Sequence, residues 1–155
     1  MSAQAQPHLQ QQPQHTLTLL LPNLKESCGH AQQQVNVYLR PYLLSAKAQY
    51  CIELVIEEVM MNQIWHAFAD KENHLLGLQV SVHERQLALT FDDDGRAFNP
   101  LEAAAPVTPT ALDDAVLGGW GIALVKKYAV SLSYERAFGK NHLTVCVDLD
   151  CAVLS

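Results

Sequence analysis

The chain has no apolar run approaching the ~18 residues that a membrane span requires, and it is poor in basic side chains, with 10 Lys and Arg against 16 Asp and Glu. The first shortage leads one to expect a soluble protein. The second gives a formal net charge of −6 and argues against a grip on duplex phosphates, which needs clustered cations to release counterions. Neither nucleic acid nor membrane is an expected partner. Cysteine is also sparse. Cys28, Cys51, Cys146 and Cys151 include no C-x-x-C pair and no signal-type segment stands ahead of them, so reduced, mostly buried thiols in a cytoplasmic protein are expected. Zinc is not expected either, despite seven His. No internal repeat recurs. With 49% hydrophobic and 17% charged residues, the 155-residue chain has the composition of one globular domain, long enough to bury a real core.

Residues 1–15 are rich in Gln and contain Pro7 and Pro13, which predicts a disordered tail outside a domain spanning 16–151. Thr16 to Leu21 reads as a strand ended by Pro22. Asn23 is placed to cap a helix running through Ala31, Val35 and Leu39 and closed by Pro41. Ser45 is a candidate cap for a long helix reaching about Phe68. Two alternating runs follow, Leu76 to Val82 and Leu87 to Phe91, turned at Glu84 and Arg85. Residues 101–117, built largely of Ala, Pro, Thr and Asp, are too long for an ordinary connection and read as a lid. A short amphipathic helix carries Ile122, Leu124, Val125 and Tyr128. Strands Val130 to Arg136 and His142 to Leu149 close the chain, with Gly139 as the φ > 0 residue of their turn. This order predicts an α+β fold: a two-layer sandwich with a mixed, mainly antiparallel sheet, and a site between sheet and helices.

The chemistry centres on Cys51 to Phe68, whose apolar residues cover nearly the whole circumference of a helix. Glu58 and Asn62 stand four apart within that surround, one turn above the other, flanked by Val55, Val59, Leu54 and Trp65. A buried carboxylate beside a buried amide needs an answering group, either neighbouring backbone or a cation or ligand water held between the two oxygens. Asp92, Asp93 and Asp94 end a strand whose inner face is Leu87, Leu89 and Phe91, so at least one of them should point at the same site. Gly118, Gly119 and Gly121, around Trp120, stand where a helix begins. They read either as a tight turn or as backbone freed to approach an anion.

Taken in order, these pieces resemble the ATP-binding domain of the GHKL superfamily, and within it the small anti-sigma factor kinases of the RsbW and SpoIIAB type. Glu58-Val59-Met60-Met61-Asn62, with His66 beyond, matches the N box. Asp93-Asp94-Gly95-Arg96-Ala97-Phe98-Asn99-Pro100 matches the first glycine box, with Ala97 where many members have a second Gly. Gly118-Gly119-Trp120-Gly121-Ile122-Ala123-Leu124 matches the second. The resemblance implies a Bergerat-type ATP-binding fold. It implies that Asn62 offers an oxygen to Mg²⁺, that Asp93 accepts from the adenine amino group, and that Gly95 lets the backbone lie close to the base. By the same resemblance Ala97 and Phe98 belong to the base-binding loop, Gly118 to Ile122 cradle phosphates under the lid, His66 completes the nucleotide set, and Glu58 acts as general base. The activity so implied is transfer of phosphate from ATP to Ser or Thr of an anti-anti-sigma, STAS-type partner, with a sigma factor as the second partner and a homodimer as the working unit. The competing reading is a non-catalytic ATP-binding module that sequesters a regulatory partner. With no preceding helical hairpin carrying a phospho-accepting His, a complete sensor histidine kinase is not expected.

Overall fold

The structure, a computed structural model, describes residues 15–102 and 119–149. Five strands form one sheet in the order β1-β2-β3-β5-β4: β1 Leu17–Pro22, β2 Leu75–His83, β3 Gln86–Asp93, β4 Ser131–Ala137 and β5 Lys140–Asp148. All four pairings are antiparallel, so the described sheet contains no parallel component. Pro22 is the last residue of β1, paired with Leu75. The strand lies at the sheet edge, where the missing N–H costs no ladder bond.

Hydrophobic alternation decides which face is covered. Leu76, Leu78, Val80, Leu87, Leu89, Phe91, Val145 and Val147 are all buried on the inner face. Against it lie three helices, α1 Glu26–Tyr38, α2 Ala46–His66 and α3 Gly119–Tyr128. Helix α1 buries Ser27, Cys28, Ala31 and Val35, one stripe at helical spacing. Helix α2 starts as its sequence dictates: Ser45 is extended, and its Oγ accepts the Ala48 N–H at 3.0 Å. Its core face is Ile52, Val55, Ile56, Val59 and Met60. The helix is not enclosed all round, because Trp65 is 46% exposed and Leu54, Ile64 and Phe68 are half-buried. Cys28 and Cys51 are buried, Cys146 is half-buried, and Cys151 lies outside the described residues.

Asn23 does not cap α1. Lys25 holds the cap position without a side-chain bond, while Asn23 accepts the His74 N–H at 3.1 Å and donates to the Glu72 carbonyl at 3.2 Å. Pinning the start of β2 to the end of β1 takes that side chain away from the helix. The last hairpin turns through Phe138 and Gly139 at φ +52° and +73°. Positive φ at both central residues suits the right-handed twist of the flanking strands. The expected tail, His15 apart, and most of the expected lid lie outside the described residues; Leu101 and Glu102 belong to a single 3₁₀ turn, Pro100–Glu102. Among the described residues no helix is long and apolar enough to cross a membrane.

Candidate functional site

At the end of the sheet where β3 leaves its ladder, a cleft of about 430 Å³, part of it open to solvent, lies between α2 and the inner face. Val59, Asn62, Gln63, His66 and Ala67 line it from α2; Phe91, Asp93, Tyr134, Asn141 and Leu143 from the strands; Arg96, Phe98 and Pro100 from the loop after β3. Its side chains are mainly apolar or aromatic, with a few polar groups converging among them, the usual make-up of a small-molecule site.

Strand alternation separates the three consecutive acids. Asp93 continues the inward series of Leu87, Leu89 and Phe91 and is buried at 6% exposure. Its Oδ1 accepts the Gly95 N–H at 3.0 Å and Asn141 Nδ2 at 2.8 Å, and its Oδ2 accepts Gln63 Nε2 at 3.0 Å. Three donors answer the buried carboxylate, and its acceptor capacity is not exhausted. Asp92 and Asp94 turn to the opposite side, where Asp92 bonds His142 and Asp94 Oδ1 lies 3.2 Å from His74 Nδ1. Each outer acid thus meets its own histidine.

The loop after β3 is strapped to the end of α2. Arg96 donates its backbone N–H to the Ala67 carbonyl at 3.0 Å, and Arg136 Nη1 donates to the Gly95 carbonyl at 2.8 Å. A Cβ at Gly95 would stand 2.4 Å from the Ala67 carbonyl oxygen, so this glycine is required by the approach of loop to helix. That adds a structural reason for the glycine beside the expected approach to a base.

Asn62 and Glu58 are half-buried, not buried as the periodicity predicts, because the helix side they share is open toward the cleft and α3. Among the described residues neither side chain has a hydrogen bond or ion pair. Asn62 lines the cleft; Glu58 lies outside its lining, against α3. Burial, with the neighbouring Glu57 charge adding to it, holds the Glu58 carboxyl above the usual carboxylate range. A Cβ at Gly121 would fall 2.0 Å from Glu58 Oε2.

The other predicted residues divide. His66 and Phe98 line the cleft, while Ala97 is exposed between two lining residues. Gly118 lies outside the described residues, and Gly119, Trp120 and Gly121 form the first turn of α3 instead of a loop ahead of it. The first-turn N–H groups of a helix have no intrahelical partners, so that backbone still offers donors to an anion. Ile122 is buried. A metal ion held by protein alone is not provided for: among the described residues no three His, Cys, Asp or Glu side chains are grouped to bind one. Asn62, with its amide free of described partners, fits a Mg²⁺ ion that takes one protein oxygen and completes its shell with phosphates and water.

Sequence reasoning missed Gln63 and Asn141. Gln63 falls in line with Ile56, Val59 and Met60, a polar residue on a core stripe; Asn141 falls on the inward series of Leu143, Val145 and Val147. Both were visible as breaks in an apolar period. Asn141 knits the site together: Nδ2 also donates to the Arg96 carbonyl at 2.8 Å, and Oδ1 accepts the Tyr134 hydroxyl and, at 3.4 Å, the Phe98 N–H.

The chain is similar to serine/threonine-protein kinase BtrW of Bordetella bronchiseptica, 34% identical over 101 residues, 65% of this chain and 71% of that protein. It is similar to an anti-sigma F factor of Clostridium novyi, 21% identical over 84 residues, 54% of this chain and 59% of that one. Among solved structures, the RsbU and RsbW domains of a Mycobacterium tuberculosis protein superpose with a TM-score of 0.59 at 13% identity, over 87% of this chain and 32% of that one, a likeness of fold alone. A blue-light activated histidine kinase of Erythrobacter litoralis superposes with a TM-score of 0.50 at 25% identity, over 68% of this chain. The match spans 32% of the length of that histidine kinase chain. The pattern of the histidine kinase-like ATPase domain matches residues 21–147, most of the sequence, and the chain belongs to that family.

Proposed function

We propose that this protein is an ATP-dependent protein-serine/threonine kinase that phosphorylates an anti-anti-sigma, STAS-type partner and, through that exchange of partners, regulates a sigma factor. The observation carrying the reading is the buried Asp93 carboxylate, presented with Asn62 and His66 to one cleft in a chain 34% identical to a serine/threonine kinase. In this reading Asp93 accepts from the amino group of adenine, and Phe98 and Pro100 bound the base. Asn62 offers an oxygen to Mg²⁺, and the N-terminal turn of α3 faces the phosphates. ATP brings the transferable phosphoryl group and Mg²⁺ the neutralising charge. Glu58, whose raised pKa brings it nearer to that of a working base, takes the hydroxyl proton of the accepting Ser or Thr. A homodimer, supported by the resemblance alone, and a cytoplasmic location, supported by the sparse cysteines of the sequence, belong to the same proposal.

A second reading, a nucleotide-reading module that holds its partner without phosphorylating it, is favoured by one observation. Glu58 does not line the cleft that Asn62 and Asp93 share. The test has two stages. Melting temperature is compared for wild type and Asn62→Ala with and without MgATP; a site filled at about 100 times its Kd adds ~2.7 kcal/mol of stability. A shift in wild type that Asn62→Ala loses supports the nucleotide site, and no shift in wild type overturns it. Transfer of labelled γ-phosphate to a STAS-type protein, lost in Glu58→Gln, supports the kinase. Nucleotide binding without transfer leaves the module.

A further inference from the structure

Gln63 is 6% exposed, lines the cleft, and has one half of its amide engaged and the other not. Nε2 donates to Asp93 Oδ2 at 3.0 Å, whereas Oε1 is buried with no hydrogen-bond partner among the described residues. The amide cannot improve matters by turning over, since that would set a carbonyl oxygen against a carboxylate oxygen. Asp93 therefore fixes Gln63 through its amide nitrogen and leaves its acceptor unanswered. Enclosed as it is, Oε1 is not supplied by bulk water, and a buried carbonyl without a donor is a standing cost that a ligand N–H can remove.

We propose that Gln63 is a second reader of the base, its Oε1 accepting one N–H of an exocyclic amine whose other N–H goes to Asp93. This rests on the nucleotide reading above and deepens it. The pair Asp93 and Gln63 presents two acceptors, and a 6-amino group carries two donors, so each finds a partner. A 6-oxo group brings only an acceptor and would face oxygen on both sides. A site built to hydrogen-bond a group rejects the analogue lacking it far more strongly than an apolar pocket does. Selection for adenine thus belongs to two side chains on different elements, α2 and β3, and only one of them lies in the glycine box.

The test compares affinities of the full chain for MgATP and for the Mg²⁺ complex of 6-N-methyl-ATP, which keeps a single amine N–H. In wild type the methylated nucleotide is expected to bind about tenfold more weakly, the worth of one hydrogen bond to a buried acceptor. In Gln63→Met, which keeps the side-chain length and removes the acceptor, the two nucleotides are expected to bind within about twofold of each other. A Gln63 that merely steadied Asp93, or merely crowded the methyl group, would leave the ratio unchanged in Gln63→Met, and that result overturns the proposal. Equal binding of the two nucleotides by wild type overturns it without any variant, so poor folding of Gln63→Met does not protect it. GTP binding as tightly as ATP also overturns it. In each of these cases wild type still binds MgATP and the kinase reading stands, although equal binding of GTP also removes the role given to Asp93. If wild type binds no nucleotide, the proposed function falls and this inference falls with it.

Discussion

Glu58 occupies the space that a side chain at Gly121 would fill: a Cβ there would lie 2.0 Å from Oε2 and 2.9 Å from Cδ. The lack of a side chain on α3 is what lets the α2 carboxylate stand where it does. Gly121→Ala is expected to change stability by no more than about 1 kcal/mol, because the atom a Cβ would press on is the far end of a flexible, half-buried side chain that can swing aside, and to lower phosphotransfer by pushing Glu58 out of position. Chemical denaturation and the transfer assay on Gly121→Ala check this, and unchanged transfer would show that Glu58 need not stand where it does.

Glu58 is held protonated more readily than an ordinary carboxyl, so its ionised form weighs against the fold. The sign follows from the raised pKa: the penalty is absent below the ordinary value of 4.5 and complete once pH exceeds the raised one. Glu58→Gln should therefore melt higher than wild type at neutral pH, with the gap closing as pH falls toward 4.5, while phosphotransfer is lost. A variant that melts lower at neutral pH would mean that the charge is compensated in the folded protein.

Asn141 joins Asp93, the Arg96 carbonyl, the Phe98 N–H and the Tyr134 hydroxyl. Its removal strands several buried groups at once, so Asn141→Ala is expected to cost about 1–3 kcal/mol of stability and to weaken MgATP binding by about tenfold or more. The affinity loss distinguishes a brace of the base site from a plain core residue. Calorimetric titration at a temperature where the variant is fully folded measures it, and unchanged affinity would restrict Asn141 to a structural role.

His74 bridges two acids, with Nε2 at 2.9 Å from both Asp70 oxygens and Nδ1 at 3.2 Å from Asp94, and it stacks on Phe68 at 4.1 Å. Hydrogen bonding to Asp70 is the main cause raising its pKa above 6.5. The stability this brings is complete below pH 6.5 and lost as pH rises through the raised value. Asp70, lowered chiefly by the Glu72 N–H and next by His74, contributes above 3.8 and fades as pH falls through its depressed value. The two contributions overlap between pH 3.8 and 6.5. The melting temperature of wild type should exceed that of His74→Gln in this window, and the gap should narrow on raising pH past 6.5. A gap independent of pH would show that the stacking on Phe68, not the charge, supplies the stability.

What the sequence determined by itself is local. The period-2 runs at Leu76–Val82 and Leu87–Phe91 became β2 and β3 because alternation puts every apolar side chain on one face. Ser45 capped α2 because an Oγ three residues ahead of a free N–H needs nothing distant to bond it. The inward direction of Asp93 was legible for the same reason, since it is two residues beyond Phe91. Tertiary structure decided whatever depends on partners remote in the chain. Asn23 looked like a helix cap until His74, 51 residues on, took its oxygen. Gln63 and Asn141 became parts of the site only when α2 and β5 met β3, 30 and 48 residues from Asp93 in sequence. Glu58 and Asn62 lie on a helix that looks buried all round, yet both are half-exposed, because periodicity records how apolar a face is and not whether another element arrives to cover it.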